Sequence, residues 1–214
     1  MRFRDRIDAG NRLAAELTHL ATEPLIILGL PRGGVPVALR VALALHAPLD
    51  VVLVRKLGLP GHRELAIGAI GEDGVRVLND DVIAMAGVTT DDLAATEALE
   101  QVEMARRATR FRGSRPRLPL VGRTAVVVDD GIATGATARA ACRAARLHGA
   151  GRVVLAVPVA PTDWVRRMGD AADEYVCVDT PACFGAVGEF YDDFSQTTDD
   201  EVVRCLRIAG AARP

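Results

Sequence analysis

Apolar residues fall into two rhythms along this chain. Nearly unbroken apolar runs at 25–30, 51–55, 124–128, 152–157 and 175–178 read as short strands buried on both faces. Between them, mixed apolar and polar stretches at 8–20, 35–46, 91–112, 135–148, 162–168 and 199–208 read as helices, with a shorter one at 80–86. Thr89 or Thr90 caps the 91–112 helix, whose acidic first turn and basic end (Arg106, Arg107, Arg110, Arg112) suit the helix dipole. Its apolar stripe is thin, so it is expected to lie half exposed. Segments 65–70 and 75–78 flank Gly71-Glu72-Asp73-Gly74 and predict a hairpin, and the prolines of 113–122 mark a loop. Strands alternating with helices give an α/β fold: a mainly parallel sheet covered on both faces, three layers in all.

Composition narrows the class. With 214 residues, a single domain over 1–214 is expected. No run of about 18 uncharged apolar residues is present, which argues against a membrane partner. The charged first residues lack the apolar core of a secretory signal. The net charge is −2 with no basic block, which argues against nucleic acid. Cys142, Cys177, Cys183 and Cys205 form no CxxC pair and read as reduced thiols, so a cytoplasmic location is expected. Of 26 basic residues, 25 are arginine and one is lysine, Lys56.

In sheets of this kind, sites lie past the carboxyl ends of the strands, and three strand ends carry unusual loops. After strand 124–128 come Asp129, Asp130, Gly131, Ile132, Ala133, Thr134, Gly135, Ala136 and Thr137, then a helix. A helix start with a glycine and two threonines suits a phosphate monoester. Two adjacent carboxylates repel that anion and suit sugar hydroxyls, a metal or a developing cation. A capped turn with a solvated acidic pair is the plain alternative. After strand 25–30, Arg32, Gly33 and Gly34 offer a charged fork and exposed amides to a diphosphate. After strand 51–55 stands Lys56, a compact point charge for phosphate, followed by Leu57-Gly58-Leu59-Pro60-Gly61-His62-Arg63-Glu64, which reads as a flexible loop. His62 is more simply an exposed loop histidine than a catalytic one.

The run 126–137 resembles the signature of type I phosphoribosyltransferases, in which two acids after an apolar strand precede Thr-Gly-x-Thr. The opening Phe3-Arg4-Asp5-Arg6, the Arg55-Lys56-Leu57-Gly58 stretch and the tail 184–194 resemble a bacterial subgroup of that family over nearly the full length. The resemblance implies that 5-phosphoribosyl-1-diphosphate (PRPP) binds with Mg²⁺. Asp129 and Asp130 would hold the ribose and, through it, the metal. Residues Ile132 to Thr137 would cradle the 5′-phosphate, and Arg32, Gly33, Gly34 and Lys56 would face the diphosphate, with a non-proline cis peptide near Pro31–Arg32 or Arg32–Gly33. Gly131 departs from the family, which often has a branched apolar residue there. The segment 57–78 becomes a closing loop and hairpin, and 181–198 a small C-terminal hood over a nitrogenous base, with Phe184 as first choice for stacking.

The implied activity is transfer of phosphoribose to that base with release of diphosphate, by a homodimer. Ala133 replaces the aspartate that contacts the ring in the 6-oxopurine branch, which lowers the odds of a hypoxanthine, guanine or xanthine acceptor. Asp192, Asp193, Asp199 and Asp200 read as solvated or capping residues. Two other readings stay open: a PRPP-binding regulator or sensor without turnover, and an unrelated doubly wound phosphate binder.

Overall fold

The computed structural model describes residues 1–59 and 62–212, the side chains of 62–66 and 80 excepted. Five parallel strands form the main sheet in the order β2-β1-β6-β7-β8: β1 (Leu25–Gly29), β2 (Leu49–Val51), β6 (Thr124–Val128), β7 (Arg152–Val159) and β8 (Glu174–Asp179). Helices α1 (Arg6–Glu16), α2 (Gly34–Ala44), α4 (Thr90–Arg112) and α7 (Asp199–Ala211) pack on one side, with α5 (Ala136–Leu147) and α6 (Trp164–Met168) on the other. The period-two pleat explains why the strands are apolar throughout. Ile27, Val126, Val128, Val154 and Ala156 enter one core, while Ile26, Leu28, Ala125, Val127, Leu155 and Val157 enter the other. The helix starts are locally encoded. Thr89 and Thr198 each close a capping box, with Asp92 and Glu201 respectively.

A second, antiparallel sheet joins β3 (Val54–Leu59), β4 (His62–Gly71) and β5 (Arg76–Leu78), and α3 (Asp80–Ala86) follows it. Two expectations are corrected here. The run 51–55 is not one strand: β2 pairs with β1 up to Val51, and from Val54 the chain pairs with β4 in the other sheet. Residues 57–59 and 62–64 of the expected loop lie in strands instead, with Leu57, Gly58 and Leu59 paired to Gly68, Ala66 and His62, while Pro60 and Gly61 lie outside the described residues. Register shifts on both sides of Gly58 mark where the extended chain bulges. The expected hairpin is present as β4 and β5, around a 3-10 turn at Glu72–Gly74.

The hood is wider than a C-terminal segment. Phe3 bridges Tyr191, donates its N–H to the Phe190 carbonyl at 2.8 Å and accepts from Asp192 N at 2.8 Å. Phe3 and Tyr191 are both buried, together with Ala9 and Val159 and against Phe184, Val187 and Phe190. The chain's first residues and residues 184–194 therefore form one small core over the ends of β7 and β8. No described helix is long and apolar enough to cross a membrane.

Candidate functional site

The sheet order places a switch point between β1 and β6. From β1 the chain steps outward to β2, and from β6 it steps the other way to β7, so the loops after β1 and β6 diverge around a crevice. Register fixes their approach: Gly29 pairs with Val128, and Leu30 donates to the Val128 carbonyl at 2.9 Å. The peptide Pro31–Arg32 is cis. The two glycines then lie against the acids. A Cβ on Gly33 would stand 1.9 Å from Asp130 Oδ2, and one on Gly34 would stand 2.6 Å from the Val128 carbonyl oxygen and 2.7 Å from Asp129 Cα. Only glycine allows this contact.

Asp129 and Asp130 form the floor. Asp129 Oδ1 accepts the Asp130 peptide N–H at 2.9 Å, and Asp130 Oδ2 accepts from Arg6 Nε at 2.8 Å. That pair is well shielded, with side chains 12 % and 15 % exposed. Burial, then the charge of Asp130, pushes the Asp129 carboxyl well above its ordinary range. Burial also raises Asp130, against the pull of Arg6. Two carboxylates thus share one guanidinium. Arg6 in turn donates to the Ser195 carbonyl at 2.8 Å and lies 4.1 Å from the Phe194 ring centre. Tyr191 donates its hydroxyl to the Asp130 carbonyl at 2.5 Å. Burial and then the Asp130 charge raise its pKa, so it stays a donor. The sequence singled out neither role, although Arg6 stands in the Phe3-Arg4-Asp5-Arg6 opening.

The rest of the loop is split. Ile132 is buried and spends its N–H on the Val159 carbonyl at 2.9 Å, so its amide is not available to an anion. This removes Ile132 from the set expected to cradle phosphate. The peptide N–H groups of Ala133, Thr134, Gly135, Ala136 and Thr137 have no partner among the described residues. Gly135 takes φ +80° as N-cap of α5, where a Cβ would meet Met168 Sδ at 2.8 Å. Gly131 has a physical reason as well: a Cβ there would lie 2.5 Å from Val187 Cγ1. The hood residue occupies the space a branched side chain would take.

The other predicted residues lie farther out. Arg32 Nη1 stands 3.7 Å from Asp199 Oδ1, so its guanidinium faces the start of α7 as well as the loop. Lys56 is exposed and lines a cavity of about 460 Å³ with Thr137, between the antiparallel sheet and α5. The side chain of His62 lies outside the described residues. Phe184 stacks on Phe190, with ring centres 5.2 Å apart and planes at 24°. Among the described residues no three His, Cys, Asp or Glu side chains cluster to hold a metal.

Comparisons with known proteins show the family. The phosphoribosyl transferase domain model matches residues 3–194. A Mycobacterium tuberculosis protein that carries the phosphoribosyl transferase name is 59 % identical over 204 residues. That match takes in 95 % of this chain but 46 % of the relative, so the chain spans about half the length of its curated relatives. A solved structure from Thermus thermophilus superposes with a TM-score of 0.86 at 45 % identity, covering 96 % of this chain and 98 % of that one. The crevice between the β1 and β6 loops, with its acid pair and open amides, is therefore that of a family member: this chain belongs to the phosphoribosyl transferase domain family.

Proposed function

We propose that the chain binds PRPP with Mg²⁺ in the crevice between the β1 and β6 loops and transfers its phosphoribosyl group to a nitrogenous base. The observation that carries this is the contact of Gly33 and Gly34 with Asp129 and Asp130, because it supports reading the β1 loop, with Arg32 and the Gly33 amide, as a diphosphate site beside an acid pair suited to sugar hydroxyls. The 5′-phosphate is assigned to the open amides of residues 133–137, at the positive end of α5. The ribose hydroxyls go to the acid pair. The residues suit a divalent cation too: two largely shielded carboxylates stand near one guanidinium, a charge deficit that Mg²⁺ bound largely through substrate oxygens would meet. When bound, the ion neutralises charge on the departing diphosphate.

As the bond from C1 to diphosphate breaks and one to the acceptor nitrogen forms, the sugar carries positive charge. Asp129 and Asp130 are fixed in place to offset it, Asp130 by Arg6 and its own carbonyl by Tyr191. Lys56, Arg32 and the Gly33 amide are assigned to the leaving group, whereas Gly34 spends its N–H on the Leu30 carbonyl at 3.0 Å and serves by allowing close approach. The base is assigned to the hood, with the free face of Phe184 as its platform. A homodimer and a cytoplasmic setting complete the proposal. Mass spectrometry of a base panel mixed with PRPP and Mg²⁺ tests it. Nucleotide formation with at least one base is expected. PRPP binding without diphosphate release would identify a sensor instead, and no PRPP binding would overturn the assignment.

A further inference from the structure

We infer that the cavity between α5 and the antiparallel sheet is a second ligand site, for a phosphate monoester of nucleoside size. The cavity of about 460 Å³ is within the size range of small-molecule sites. It adjoins the crevice through Lys56, Ala136 and Thr137 but extends away from it along α5, and Asp129, Asp130, Gly33 and Gly34 do not line it. The inference therefore stands without the PRPP reading.

Its two walls differ in chemistry. On α5, positions 136, 139, 140 and 143 share one face, and all four line the cavity, while Ala138, Ala141, Cys142 and Ala145 face the core. Ala136 and Ala140 leave the space open, and Arg139 and Arg143 stand one turn apart along it. Neither arginine lies within ion-pair distance of a described carboxylate, whereas Arg146, on the same helix, pairs with Asp173 at 2.9 Å. Across the gap, Gly68 and Ala69 of β4 present flat backbone beside Val54, Val77 and Leu78. Arg139 and Arg143 face one described carboxylate, Asp81, with Lys56 and the Asn79 amide also in the lining. The cationic wall suits a phosphate dianion, and the small apolar wall suits a flat ring. The occupant is either the nucleotide that this protein itself would form or one made elsewhere.

Calorimetry separates the outcomes. The probes are a panel of nucleoside monophosphates, inorganic phosphate, and PRPP with Mg²⁺. The variants are Arg139→Ala with Arg143→Ala, its length-retaining counterpart Arg139→Gln with Arg143→Gln, and Asp129→Asn with Asp130→Asn. Alanine and glutamine both favour the helix, so folding is retained. At least one monophosphate is expected to weaken about tenfold or more in both arginine variants, and to stay within about threefold of wild type when the acid pair is replaced. PRPP is expected to show the reverse pattern. A monophosphate that the wild-type enzyme also forms from PRPP points to its own product, and one that it does not form points to an outside nucleotide. Inorganic phosphate binding as tightly as every monophosphate, monophosphate binding that follows the acid pair instead of the arginines, or no monophosphate binding at millimolar concentration overturns the inference.

Discussion

Asp129 and Asp130 cost folding energy for the sake of a ligand. Because burial raises both carboxyls in the folded state, that state holds their protons more tightly than the unfolded chain does. Their contribution is therefore most favourable below the ordinary carboxylate range and is lost as pH rises from that range through the raised values. Asp129→Asn removes the ionisation while keeping shape. It is expected to gain about 1 kcal/mol, or roughly 2–4 °C in a thermal melt at pH 7, and to abolish PRPP binding. A lower melting temperature would contradict the charge argument. The same linkage predicts that Mg²⁺ with PRPP releases protons on binding. Calorimetry in buffers of different ionisation heat reads this directly, and a buffer-independent heat would count against it. Gly33→Ala tests the packing of the two loops. A methyl 1.9 Å from an oxygen that Arg6 holds cannot be absorbed by a rotamer change alone, so a loss of about 1–3 kcal/mol and of PRPP affinity is expected in melts and titrations. The acid pair was legible because neighbouring carboxylates at a strand end are chemically conspicuous. Arg6 was not assigned its role because its partner lies 124 residues away, and no local spacing encodes such a contact. Val187 beside Gly131 stayed hidden for the same reason.

Among the elements, the main-sheet strands were readable because unbroken apolar runs mean burial on two faces, and β6 spans the same residues as the run that predicted it. The switch between sheets at 52–53 was not readable. Val52 and Leu53 are buried like Val51 before them, so the hydrophobic pattern continues while the pairing partner changes. Gly58 and the Pro60-Gly61 pair suggested a loop, yet within a strand a glycine equally marks a bulge, and at Gly58 it does. The antiparallel sheet is tied to the main one by Arg112 at the end of α4. Its guanidinium donates to Asp50 at 2.7 Å, to both Glu72 carboxylate oxygens at 2.5 and 2.9 Å, and to the Val51 carbonyl at 2.7 Å. The Arg112 and Asp50 side chains are only 7 % and 6 % exposed. Arg112→Leu would strand two carboxylates in that environment, and about 3 kcal/mol or more of stability should be lost. Hydrogen exchange should show the largest gain at the Glu72 turn and in β4 and β5. A uniform or absent change would mean that the guanidinium does not tether the sheet.

At the scale of the whole molecule, the question is whether the antiparallel sheet is a separate unit. Its buried residues Leu57, Ile67 and Ile70 belong to the same core as Met104 and Phe111 of α4 and Val126 and Val154 of the main sheet. The other side of the sheet faces α5, across the cavity that Lys56 and Thr137 line. An element whose apolar face is completed only by its neighbours has no core of its own to fold around. The hood is built in the same way, since Phe3 and the segment 184–194 close on each other over Val159, so that two segments far apart in sequence must be in place together. We therefore expect residues 1–214 to unfold as one cooperative domain. In scanning calorimetry the van't Hoff and calorimetric enthalpies should agree, and near-ultraviolet and far-ultraviolet circular dichroism should give coincident transitions. Saturating PRPP with Mg²⁺ should raise that single transition without splitting it, by a stabilisation that grows with the logarithm of ligand concentration. An earlier transition confined to β3, β4 and β5 would show that the shared core is too weak to couple the sheets. A closing motion of the antiparallel sheet over the crevice would then require local unfolding rather than movement of a tethered element.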